Sequence, residues 1–96
     1  MSQTTIARVP TENGRRYMQQ LLKHWGHKLE VSFDDEKGEV KFPTAFCAMT
    51  VESDALLVRL SVDDAAETER MQDVVARHLD RFAFREAPLS FDWQQG

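Results

Sequence analysis

The stretch KHWGHK, residues 23–28, sets two lysines, two histidines and a tryptophan around one glycine. Imidazole ligates metals and moves protons near neutral pH, while ammonium and guanidinium groups attract anions. A third histidine, His78, belongs to the series Met71, Val75, His78, Phe82, whose steps of four, three and four lie on one helical stripe. An imidazole on an apolar stripe must find a hydrogen-bond partner. His78 therefore either bonds a backbone carbonyl or faces a pocket between two helices, where His24 is the expected neighbour. Arg77, Arg81 and Arg85 recur every four residues. Guanidinium suits carboxylate and phosphate, although Asp73 and Asp80 are close enough in sequence to pair with these arginines on a solvated face.

Other chemistry is poorly represented. His24-x-x-His27 permits a metal, but Gly26 interrupts the helix between the two, and neither HExxH nor CxxC occurs. The sequence leaves a metal open. Cys47 alternates with Met49 and Val51, which reads as a small core hydrophobe rather than a nucleophile. A Gly-rich phosphate loop, a GxSxG elbow and a coupled carboxylate pair are all missing. These omissions weigh against an enzyme, and no cofactor is implied.

The elements that must position these residues follow from periodicity. TTIARV (4–9) reads as a strand ended by Pro10. Tyr17, Met18, Leu21, Leu22 and Trp25 recur at helical spacing, and Gly26 is placed to end that helix in a left-handed conformation. His24 falls on the flank of this stripe. Cations at a helix C-terminus also interact with its free carbonyls, by about 0.3–1 kcal/mol, so the hexapeptide has a purely local explanation too.

Alternation then takes over. Leu29, Val31 and Phe33 share one strand face, and DDEKG (34–38) reads as a hairpin loop whose glycine supplies a positive φ. Val40 and Phe42 continue that face. Cys47, Met49 and Val51 pair with Leu56, Val58, Leu60 and Val62 across ESDA (52–55), completing a four-stranded meander over 29–62. Asp63 or Asp64 caps a second helix, with Glu67 completing a capping box and Met71, Val74, Val75, Leu79 and Phe82 as its stripe. Leu89, Phe91 and Trp93 alternate in a last strand after Pro88. The predicted fold is α+β: a two-layer sandwich, an antiparallel-rich sheet with two helices on one face, in the order β-α-β-β-β-β-α-β.

Ninety-six residues, 42% of them hydrophobic, fit a single domain spanning 1–96. No apolar run approaches the ~20 residues of a membrane span, and MSQTTIARVP lacks the pattern of a secretory signal. With one cysteine for company, the expected compartment is the cytoplasm. A net charge of −4 argues against general nucleic-acid affinity. Residues 1–28 nevertheless carry five basic side chains against one acid, whereas residues 29–54 carry two against seven. The first helix is basic within an acidic chain, either as compensation across the surface or as a patch for a small anion.

At RRYMQQLLKHWGHK (15–28) and HLDRFAFREAPLSFDW (78–93) the chain resembles a bacterial family known as domain of unknown function 2218. Tyr17, Leu21, Lys23, His24, His27 and Lys28 carry the likeness in the first block, and His78, Leu79, Arg81, Phe82, Arg85 and Glu86 in the second. The resemblance runs essentially end to end and brings no established activity with it. Similar chains occur joined to siderophore-interacting flavin reductases, which implies a link to siderophore and iron metabolism. Others carry a dihydroxyheptenedioate aldolase label, for which this chain offers neither an obvious metal shell nor a Schiff-base pocket.

The leading expectation is a binding or accessory domain for an anionic small molecule or a ferric chelate. Its ligand-binding residues would be His24, Trp25, His27, Lys28, His78, Arg81, Phe82 and Arg85, with Trp25 and Phe82 as apolar walls. The competing expectation is a protein-interaction module, acting as a homodimer or partner domain. It would use a sheet edge or the sheet face from which Phe46 and Leu57 point. A third class, a small histidine-assisted enzyme, needs His24 or His78 beside a second titratable group.

Overall fold

Burial alternates along the strands so that one face of the sheet is left for the helices. The computed structural model describes residues 2–96. Strand β1 (Gln3–Pro10) leads into helix α1 (Gly14–Trp25). Strands β2 (Glu30–Phe33), β3 (Lys37–Phe42), β4 (Ala45–Val51) and β5 (Ala55–Val62) follow as a meander. A short 3-10 turn (Ala65–Glu67), helix α2 (Thr68–Phe82) and strand β6 (Trp93–Gln95) complete the α+β order expected.

All strand pairs are antiparallel, in the order β2-β3-β4-β5-β1-β6. The first strand thus closes the meander against β5. In register, Thr5, Leu60, Cys47 and Val40 stand side by side on the helix-covered face. Met18, Leu21 and Leu22 from α1 and Val75 and Leu79 from α2 are fully buried against this face, together with Val58, Leu60 and Val62. Each such side chain stabilises the fold by about 1.5–3 kcal/mol relative to exposure. Gln72 in α2 donates to the Thr5 hydroxyl at 3.0 Å, which fixes α2 over the β1 side. On the helix-free face, Phe46 is 37% exposed and Leu57 is half-buried.

Several local expectations are corrected. Gly26 is not left-handed: its φ is −61° and its ψ −16°, and the chain turns through bonds from Gly26 N to Leu22 O and from Leu29 N to Trp25 O, each 2.8 Å. Gly38 has no positive φ either and lies inside β3. The preceding turn is built by the Asp34 carboxylate, which accepts from the backbone N–H of Glu36 and of Lys37 at 2.8 Å each. What Gly38 supplies is space, because a Cβ there would overlap the tip of Leu22 and press on Met18.

Asp64 caps the 3-10 turn, accepting from Ala66 N at 3.0 Å, and α2 begins only at Thr68. Glu67 pairs with Arg70 at 2.9 Å instead of closing a capping box. The last strand is shorter and later than the alternation predicts. Leu89 is buried, but its N–H is taken by the Asp80 carboxylate at 2.8 Å, so the chain reaches the sheet only at Trp93.

Candidate functional site

Helices α1 and α2 run antiparallel across the sheet: Tyr17, near the start of α1, meets Glu86 beyond the end of α2, while Trp25 meets His78. The groove between them therefore has two poles, and it is where chemistry-bearing side chains converge.

At the first pole two of the three predicted histidines come together. The rings of His24 and His78 lie 6.3 Å apart, centre to centre. Trp25 is tucked beneath, 5.2 Å from His78 and 5.1 Å from Phe42, and Phe82 meets His24 edge-on at 5.9 Å. The helical positions explain this. Trp25 continues the buried stripe of α1, so His24, one residue earlier, is turned towards α2 and solvent. His78 is half-buried, and its Nδ1 lies 2.6 Å from the Val74 carbonyl, one helical turn back. A carbonyl only accepts, so Nδ1 carries the proton in the neutral ring and Nε2 keeps a free lone pair. Metal-ligating histidines are commonly held in this way through their second nitrogen.

The remaining predicted residues divide. His27 and Lys28 follow the helix and are exposed, their backbone N–H groups bonded to His24 O at 3.5 Å and Trp25 O at 3.0 Å. Arg81 is exposed and has no acidic partner among the described residues. The expected acid pairing holds for Arg77, which meets Asp73 at 3.1 Å. It fails for Asp80, which is committed to Leu89. Arg85 lies past the end of α2 and so leaves the helical face assumed for it. It stands at the second pole, 5.8 Å over the Phe84 ring, and with Arg16, Tyr17, Phe82 and Phe84 it lines a depression of about 50 Å³. Phe82 touches both poles.

A cluster beside the second pole escaped the sequence reading. The Glu86 carboxylate accepts from Thr11 Oγ1 (2.9 and 3.1 Å), from Asn13 Nδ2 (3.0 Å) and from the Tyr17 hydroxyl. These donors hold its carboxyl below the usual value, Tyr17 contributing most, and the carboxylate in turn pushes the Tyr17 hydroxyl up. The only signal in the sequence was that Tyr17 and Glu86 both fall among the residues carrying the family likeness; spacing says nothing about a contact between segments so far apart.

Three other features bear on chemistry. Among the described residues no three or more His, Cys, Asp or Glu side chains are grouped to hold a metal ion. Cys47 is fully buried, and burial pushes its thiol up to about 12, as expected of a core residue. A concavity of about 510 Å³ lies away from the histidines, between Ser32, Lys37, Glu39 and Thr50. It holds no imidazole, and its Asp34 carboxylate already serves the adjacent turn. No helix is long and apolar enough to cross a membrane among the described residues.

The sequence profile of a family described as an uncharacterised protein conserved in bacteria, domain of unknown function 2218, matches residues 6–94. No curated protein matches. The NMR structure of PA4090 from Pseudomonas aeruginosa is similar at 37% identity over 96% of this chain and 95% of that one, with a TM-score of 0.79.

Proposed function

We propose a binding role for this chain, which belongs to the bacterial family domain of unknown function 2218: the histidine pole of the helix groove takes an anionic small molecule, best a metal chelate with open coordination positions. One observation carries this reading. His24 and His78, 54 positions apart in sequence, stand 6.3 Å apart with Trp25 and Phe82 as walls. With no third protein ligand grouped beside them among the described residues, the two imidazoles suit a metal that arrives with its own ligands rather than a resident ion. Cations nearby in sequence add attraction: Lys23 and Lys28 flank His24, Arg81 follows His78 by three residues, and all three are exposed. A ferric chelate is a member of this ligand class.

Zinc nitrilotriacetate is a suitable probe, because it is anionic and leaves coordination positions open. Calorimetric titration should give measurable affinity that falls as salt rises and drops at least tenfold in both His24→Ala and His78→Ala. Equal affinity in the wild type and both variants would remove the histidines from the site.

A second reading is favoured by Phe46, which is 37% exposed on the helix-free face. That face would pair two copies of the chain. Light scattering of the purified protein separates the readings, since a monomer at high concentration excludes the dimer.

A further inference from the structure

We infer that Arg16 and Arg85 form a separate subsite at the other pole of the groove, one that binds the carboxylate of a small ligand with a flat apolar body. Both arginines line the same depression, whose remaining walls are Tyr17, Phe82 and Phe84. At about 50 Å³ it has room for one carboxylate-sized group and not for a whole ligand. The rest of the ligand must lie over the rim, where Phe84 is 72% exposed with the Arg85 guanidinium 5.8 Å from its ring centre. An aromatic ring beside a guanidinium offers a flat surface for an apolar body next to a fork that matches a carboxylate.

The charge pattern supports an anion from outside the chain. Arg8, Arg70 and Arg77 each pair with an acid in a chain that has more acids than bases. Arg16 and Arg85, like Arg15, Arg59 and Arg81, have no such partner among the described residues; what sets them apart is that they line one depression together. The nearest candidate by sequence, Glu86, adjoins Arg85, yet its carboxylate bonds Thr11, Asn13 and Tyr17 and forms no ion pair with Arg85. This arrangement also orients the subsite. By tying residue 86 to the start of α1, it holds Phe84 and Arg85 facing Arg16.

The subsite does not depend on the histidine pole, and its test uses neither metal nor imidazole. Benzoate is titrated into the full chain while backbone amide shifts are followed, with benzamide as the uncharged counterpart and acetate as the carboxylate without a ring. The expected result is saturable benzoate shifts confined to 16–17 and 82–86, at least fivefold weaker binding of benzamide and of acetate, and at least fivefold loss in Arg16→Ala and in Arg85→Ala. His24→Ala should leave benzoate affinity within twofold. Equal binding of benzoate and benzamide, unchanged affinity in both arginine variants, shifts centred on other residues, or no shifts at all would each overturn the assignment. Both arginines are exposed, and amide spectra of the variants verify that they remain folded.

Discussion

The Tyr17 hydroxyl donates to the Glu86 carboxylate across 69 positions of sequence, tying the first turn of α1 to the segment that follows α2. Its pH signature has two sides. Glu86 is lowered from 4.5, so its contribution is present above that value and is lost as pH falls through the lower folded pKa. Tyr17 is raised from 10.0, so its contribution is present below that value and is lost as pH rises towards the folded pKa. Between about pH 5 and 9 the interaction is intact. Glu86→Gln and Tyr17→Phe should each cost about 1 kcal/mol in urea unfolding at pH 7, a figure kept low because the carboxylate is open to water. The Glu86→Gln difference should shrink below pH 4. A difference of the same size at pH 3 and pH 7 would separate the stability loss from the ionised carboxylate.

Gly38 is needed for closeness rather than for its backbone freedom. Gly38→Ala places a methyl group against Leu22, Met18 and Phe33, where α1 packs on β3. It should destabilise the fold by about 1–3 kcal/mol through overpacking. Gly26 has an ordinary helical φ of −61°, and the nearest side-chain atom to an added Cβ is Val31 Cγ2 at 3.1 Å. Gly26→Ala should therefore cost clearly less. Thermal unfolding of the two variants side by side checks the order, and a larger loss for Gly26→Ala would reverse the account.

The bond between His78 and the Val74 carbonyl fixes a tautomer. In the neutral ring the proton sits on Nδ1, whereas free histidine prefers it on Nε2. Long-range proton–nitrogen correlation spectra should show a protonated Nδ1 and a bare Nε2 for His78. The opposite pattern would place the free lone pair on Nδ1, the nitrogen that the Val74 carbonyl covers, and away from any ligand.

These particulars show where the sequence was informative. Apolar alternation is a local property, and it found β2 to β5 and the buried stripes of both helices, although β3 begins at Lys37, inside the predicted loop, and β4 at Ala45, before the first alternating residue. The same logic put His78 beside α1, since stripes of two helices on one sheet face must meet. Of the two readings of His78, the bond to a backbone carbonyl is present, and His24 is its neighbour across the helices. Glycine was misleading because its two uses look alike in a sequence; Gly26 and Gly38 were assigned positive φ, and neither has it. The last strand was drawn early because Leu89 and Phe91 alternate like strand residues, while a side-chain bond from Asp80 diverts the backbone. Arg16 and Glu86 were invisible as site residues for a different reason. Their roles depend on which segments lie side by side at the helix ends, and no periodicity encodes that.

The central claim is that the histidine pole is a binding site. Amide and imidazole chemical-shift mapping during titration with zinc nitrilotriacetate tests it most directly. The account predicts shifts confined to residues 23–28 and 78–82, with the Nε2 resonances of His24 and His78 moving most. Shifts centred on the concavity around Ser32, Lys37 and Thr50, or a spectrum unchanged at millimolar probe, would contradict it.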